Sequence, residues 1–176
     1  MKGQPHDKKY ELGLLRPDGK PGFTTPTGKV EFTSEILREH GFDPLPVYKE
    51  PVYSPLGSPE VYKEYPFIFM TGCRVPYYTH SKERDLPWLN QFMPEPVVNI
   101  NPADADAKGI KTGDMVELST PQGALKVRAN VTNIVRPGHI DMFHGWEKAN
   151  VNLLVARDFD PISGFPPYKS GICQIK

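Results

Sequence analysis

Three clusters of residues in this 176-residue chain have the types and spacing to do chemistry. In the first, the apolar run Phe67-Ile68-Phe69-Met70 ends in Thr71-Gly72-Cys73-Arg74, and His80 and Ser81 follow a few residues on. In the second, His144-Gly145-Trp146 again follows an apolar stretch. The third is the amide pair Asn150 and Asn152. A glycine at a strand end lets the backbone approach a ligand closely, and an arginine forks onto phosphate or carbonyl oxygens. Amide side chains match donors and acceptors on the edge of a heterocycle. Taken singly, each cluster also has a plain structural reading, such as a turn around a core tryptophan. Together, on loops leaving strands, they point to a planar, phosphorylated ligand.

Other chemistries fit less well. Nucleophilic catalysis needs a thiol or hydroxyl beside a base and an orienting group. Cys73 with His80 or His144 supplies such a pair on paper, but no local nucleophile signature surrounds Cys73. Cys73, His80, His144 and Cys173 lack the ligand spacing of a zinc site. No carboxylate pair is set up for acid–base work: Asp104 suits a helix cap, and Asp158 and Asp160 sit in a turn-like DFDP. No catalytic residue and no metal ligand is therefore assigned.

Composition narrows the partners. Lysine plus arginine balances aspartate plus glutamate at 21 each, so no net field draws the chain to nucleic acid or to an anionic membrane. An anionic ligand must be held by a local site. No apolar run reaches the ~18 residues of a membrane span. The first residues, MKGQPHDKKYELG, have no secretory h-region. Two cysteines are too few for a disulfide framework. Twenty prolines fit short strands and extended connections better than a helical bundle.

The elements that must position these clusters fall into two parts. Residues 1–65 read as an extended, proline-rich arm that packs on the barrel described below or on the rest of a larger subunit. Within it, the alternation of Val30 and Phe32 in TPTGKVEF suggests a strand or arm. SEILREHG suggests two helical turns, with Ser34 as N-cap and Gly41 as terminator. The segment FDPLPVYKEPVYSPLGSPEVYKEYP reads as extended. Residues 66–176 form the second part. PFIFMT and EPVVNI read as buried strands, and NPADADAKG as a helix capped by Asn101, with Pro102 first and Asp104 placed to close a capping box. MVELST and ALKVRANVT alternate around a Pro121-Gln122-Gly123 turn, which places Val116, Leu118, Leu125, Val127, Ala129 and Val131 on buried faces. RPGHIDMF is a further turn and strand, and Ile172, Cys173 and Ile175 belong to a last one. Several short strands around one small helix indicate a mainly β barrel or sandwich.

The order of the motifs resembles one family. TPTGKVEF is followed by TGxR…H, then by NINPADADAKGIKTGDMVELSTPQGALKVRANVT leading into RPGHIDMFHGW, then by NVNLL and DPISGFPPYK. Residues 24–176 look like the C-terminal molybdopterin-dinucleotide-binding domain of the dimethyl sulfoxide reductase family of molybdenum and tungsten oxidoreductases. The resemblance implies a six-stranded double-psi β-barrel with short helices, of the aspartate-decarboxylase-like kind. It implies molybdopterin guanine dinucleotide as cofactor, with the molybdenum or tungsten held by the cofactor. The matched cofactor-binding positions are Thr71, Gly72, Arg74, His80, Ser81, His144, Gly145, Trp146, Asn152 and Lys169, with Asn99 and Asn101 toward the guanine side.

The chain departs from the family pattern in two places. Cys73 separates Gly72 from Arg74, as in a subset that includes acetylene-hydratase-like members, and reads as a spacer. Leu154-Val155 stands where a threonine often follows NxL. Nothing resembles the family's cysteine-rich iron–sulfur motif or its metal-ligand region. An iron–sulfur cluster would therefore lie only in a missing N-terminal part, and no activity is expected from these 176 residues alone. The implied partners are the remaining domains of a large catalytic subunit and an iron–sulfur electron-transfer subunit, with no nucleic acid and no membrane insertion. Compartment stays open between cytoplasm and, with a twin-arginine signal on a longer polypeptide, periplasm. The alternative from another class is a non-catalytic interaction module built on the same barrel, since fold alone does not fix function.

Overall fold

The computed structural model describes Arg16 and residues 18–176. They fall into two compact units that meet in sequence between Lys49 and Glu50.

In the first unit the one helix among the described residues is α1, Glu35–Glu39, with Ser34 Oγ accepting from the Leu37 N–H at 3.2 Å. Gly41, at φ 78°, lies just past its end. TPTGKVEF is not a strand. Both the N–H and the hydroxyl of Thr27 donate to the Glu31 carboxylate, at 3.1 and 2.8 Å. That local bonding curls the segment, and Val30 and Phe32 are left exposed.

The second unit opens with a helix where an extended chain was expected. In α2, Pro59–Glu64, proline takes the first helical position, where its missing N–H costs nothing. Ser58 does not cap this helix; its hydroxyl donates to the Val52 carbonyl instead.

The rest of the unit is a closed barrel of six strands. They are β1 (Phe67–Thr71), β2 (Val97–Ile100), β3 (Met115–Thr120), β4 (Gly123–Val131), β5 (His139–Met142) and β6 (Gly171–Ile175). Around the barrel the order is β1-β5-β2-β4-β3-β6. The β1–β5 and β2–β4 pairs are parallel and the other four antiparallel. This crossed connectivity is the double-psi arrangement. Two short helices connect the strands: α3 (Pro87–Asn90), and α4 (Pro102–Lys108) between β2 and β3.

Alternation along the strands sets the core. Val116, Leu118, Val127, Ala129, Ile140 and Met142 point inward with Phe67, Phe69, Ile100 and Ile175. Full burial of one such aliphatic side chain stabilises by about 1.5–3 kcal/mol. Asn101 caps α4 by accepting from Ala103 N–H at 3.0 Å, and its amide donates to the Val135 carbonyl at 2.8 Å. Asp104 does something other than close a capping box: its carboxylate accepts the Gly138 N–H at 2.7 Å and so fastens the helix to the turn before β5.

Outward positions of three adjacent strands form a polar row. Asp141, Asn99 and Asn130 are successive cross-strand neighbours. Asn130 Nδ2 donates to Asn99 Oδ1 at 2.8 Å, and Asn99 Nδ2 to Asp141 Oδ2 at 3.2 Å. Asn99 and Asp141 are buried although they face away from the barrel interior.

Candidate functional site

The walls of the site begin where β1 and β5 end. These strands run parallel, so the loops that follow them emerge side by side. Thr71 Oγ donates to the Met142 carbonyl at 2.8 Å, and its N–H to the Tyr168 carbonyl at 2.7 Å. The threonine therefore ties three segments together at the rim. Gly72 follows at φ 92°, where a Cβ would stand 3.3 Å from Tyr168 Cβ.

Beyond Gly72 the chain folds over a small second core of Val75, Tyr78 and Trp146, with Leu89, Met93 and Phe143 packed against it. The Tyr78 and Trp146 rings meet edge to face at 6.1 Å, and the Tyr78 hydroxyl donates to the Met93 carbonyl at 3.0 Å. This packing brings two histidines 64 positions apart into contact. His80 Nδ1 lies 2.6 Å from His144 Nε2, so one of these nitrogens carries the proton that joins them. His80 holds φ 54°, a left-handed conformation that side chains other than glycine rarely adopt. Gly145 lies against its backbone: a Cβ there would meet the His80 carbonyl oxygen at 2.8 Å.

These loops enclose a cleft of about 630 Å³. Thr71, Gly72, Arg74, His80, Ser81, His144, Gly145, Trp146 and Asn152 all line it, as does Asn150. Asn150 accepts the Asn152 N–H at 3.2 Å, capping the 3-10 turn Val151–Leu153 and setting the direction of Asn152. Asn99 and Asn101 are in the barrel scaffold instead, in the polar row and at the α4 cap, and do not line the cleft. Lys169 is exposed, next to the lining residue Tyr168, and acts electrostatically on Cys73 and Asp141. Sequence reasoning missed Arg84, Glu147, Phe165 and Tyr168 in the lining. For the last two a signal existed: GFPPYK holds two aromatics on a proline pair, and their rings pack edge to face at 5.3 Å.

Burial, and the neighbouring His80, press the His144 pKa below the usual histidine value, which keeps the ring neutral at pH 7. Cys73 is exposed, yet desolvation and the Asp141 carboxylate raise its pKa. A thiol held protonated is a poor nucleophile, which argues against a catalytic Cys73. Cys173 is a buried core residue of β6, its thiol also pushed up by burial. Desolvation raises the Asp141 carboxyl as well.

Of the residues lining the cleft, Trp146 and His144 have buried ring nitrogens, Nε1 and Nδ1, without a well-aligned partner among the described residues, although the Cys73 backbone interacts with the His144 ring. An indole N–H can only donate, and leaving it unpaired costs about 1–3 kcal/mol. Beside them stand Arg74 and Arg84, and two glycines that let backbone approach closely. The arrangement fits a ligand rich in acceptors and negatively charged.

Comparisons with known proteins identify the family. Residues 67–172 match the Molydopterin dinucleotide binding domain. The chain is 38% identical over 172 residues to the dopamine dehydroxylase of Eggerthella lenta, a match covering 88% of this chain and 17% of that protein. It is 34% identical over 149 residues to the acetylene hydratase of Syntrophotalea acetylenica, covering 82% of this chain and 20% of that one. The solved structure of acetylene hydratase from Pelobacter acetylenicus superposes with a TM-score of 0.81 at 28% identity, over 92% of this chain and 25% of that one. The chain thus spans about a fifth of the length of the curated relatives it matches. A matching family model over most of the barrel and its rim loops, and a solved relative that superposes on 92% of the chain, place this chain in the family of molybdopterin-dinucleotide-binding domains.

Proposed function

We propose that the chain binds and orients molybdopterin guanine dinucleotide as the C-terminal domain, or a small subunit, of a molybdenum or tungsten oxidoreductase. The observation that carries this reading is Trp146 Nε1, a buried indole donor with no partner among the described residues, on a residue that lines a cleft also holding two arginines. Gly72 and Gly145 would admit the dinucleotide against the backbone. Arg74, His80 and Ser81 would take its phosphate and pterin oxygens on one wall, and His144, Trp146 and Asn152 on the other. Asn99 and Asn101 would act from behind, by fixing the strand and helix that support those loops. When bound, the cofactor supplies the metal and the electron chemistry; this chain contributes binding, orientation and exclusion of water. The remaining domains of the catalytic subunit, and an iron–sulfur electron-transfer subunit, are the proposed partners. The relatives reported above are enzymes, and nothing among them favours the interaction-module alternative.

The test is calorimetric titration of the full chain with guanosine diphosphate, comparing R74A and W146F with the wild type. Trp146→Phe keeps an aromatic ring in the small core while removing the unpaired donor. Both variants are expected to lose about 5- to 30-fold in affinity, the worth of one hydrogen bond to an anionic group. Wild-type affinity in both would reject the cleft as the dinucleotide site.

A further inference from the structure

We infer that Arg84 is the fixed cation of this cleft: it clamps the His144–Gly145–Trp146 turn to the opposite wall and holds an anionic oxygen of the ligand. The inference rests on the dinucleotide reading of the cleft and adds a residue to it. In sequence Arg84 sits in Lys82-Glu83-Arg84-Asp85, which reads as an ordinary solvated charge run. In the fold its side chain is only 21% exposed. Its Nη1 donates to the Gly145 carbonyl, across the cleft wall and 61 positions along the chain. Its own carbonyl accepts from Asn90 Nδ2 at 3.1 Å, which anchors residue 84 to α3.

The local backbone is bent to put it there. Glu83, immediately before, holds φ 66°, and His80 holds φ 54°. Conformations of this kind cost free energy and persist only where surrounding structure enforces them. Here two of them bracket the turn that aims Arg84 inward.

The charge on Arg84 is poorly neutralised. Among the described residues the carboxylate within ion-pair reach is Asp85, at 3.8 Å, and that side chain is 92% exposed. Water screens such a pair strongly, so it neutralises little of the charge. A guanidinium carries five N–H donors in a rigid fork, and the Gly145 bond occupies one nitrogen. The remaining donors are pre-organised, so little side-chain entropy is lost when an anion binds. Arg74, the arginine that the sequence favours, is exposed and has no hydrogen bond or ion pair among the described residues. Arg84 also lines a second cleft of about 590 Å³, which shares Trp146 and Glu147 with the first, so it stands in the partition between the two. An oxyanion bound to the fork therefore also braces the turn that carries His144 and Trp146.

The experiment titrates guanosine diphosphate and guanosine into the cofactor-free full chain, comparing wild type with R84Q and R84K. Thermal melting checks that each variant folds. R84Q is expected to bind the diphosphate about 10- to 100-fold more weakly while guanosine affinity changes less than about twofold. R84K keeps the charge but loses the fork, so its diphosphate affinity is expected between the two, and it carries the test if R84Q does not fold. Wild-type diphosphate affinity in both variants would overturn the inference while leaving the cofactor reading intact. Equal losses for guanosine and guanosine diphosphate would also overturn it, because Arg84 would then be a structural clamp with no anion to hold. A wild-type chain that bound neither ligand would reject the cofactor reading, and this inference with it.

Discussion

Replacing Gly145 with alanine isolates what holds the two cleft walls together. The residue holds φ 114°, and an alanine forced to keep it would cost about 1–3 kcal/mol. Strain alone does not decide the outcome, because Gly72 at φ 92° has a similar penalty. The difference lies in what each new methyl group meets. At 72 the nearest atom is Tyr168 Cβ at 3.3 Å, a side-chain atom that can shift by a few tenths of an ångström. At 145 it is the His80 carbonyl oxygen at 2.8 Å and its carbon at 3.1 Å, both backbone. Relief there requires the whole turn to move off the His80 loop. That movement breaks the 2.6 Å contact between the histidines and the Arg84 bond to the Gly145 carbonyl. We expect G72A to destabilise the chain by about 1–2 kcal/mol and G145A by about 3–4 kcal/mol. Urea unfolding of both variants at pH 7.5 reads the difference as a shift in midpoint at constant slope. Imidazole NMR signals of His80 and His144 should move in G145A and stay in place in G72A. If both variants unfold at the same urea concentration with unshifted imidazole signals, the wall-to-wall contact does not carry the stability assigned to it.

Two further outcomes follow from a buried and a half-buried ionisable group, Asp141 and His144. Asp141→Asn keeps a group that can accept the Asn99 bond and removes a charge that burial disfavours. The folded-state pKa is raised, so the wild-type carboxyl is best tolerated below its ordinary value of 3.8 and loses stability as pH rises through the folded pKa. D141N should accordingly be more stable than wild type at pH 8, with the gap closing toward pH 4 in urea titrations. His144 has the opposite sign. Its folded pKa lies below the ordinary 6.5, so the unfolded state takes up protons first, and stability is full above 6.5 and declines as pH falls through the folded pKa. His144→Gln should flatten the melting-temperature profile between pH 7 and 5, and an unchanged slope there would show that this ring titrates freely.

Much of the barrel was legible because single strands declare themselves. Phe67–Thr71 buries every second residue, and Val116 and Leu118 alternate with polar neighbours as their pattern requires. Helix α4 was readable from Asn101, Pro102 and Gly109, all local signals. Elements that depend on a competing local bond were not. Thr27 and Glu31 bind each other and curl a segment whose alternation suggests a strand. Pro59 starts a helix inside a run whose prolines suggest extension. In the site, the His-Gly-Trp and Thr-Gly-x-Arg loops could be found because their residue types are distinctive. Arg84 could not, since a charge in a charged run becomes special only when a carbonyl 61 positions away lies beneath it. The Asp141–Asn99–Asn130 row was hidden for a related reason: alternation places these residues outward, and only the full fold shows that Asp141 and Asn99 are buried there.

The parallel pairing of β1 with β5 sets an order of events in time. Its partners, such as Phe69 and Ile140, lie 71 positions apart, and β2 and β4 are likewise joined only across an intervening strand. The β3–β4 hairpin, turning on two residues, is the part that can form quickly and alone. Contacts this distant in sequence close late and make folding slow. The two walls of the cleft hang from the ends of β1 and β5, so the cleft takes shape only as those two strands pair. Closure of the barrel is thus the step that sets both walls of the cleft in place.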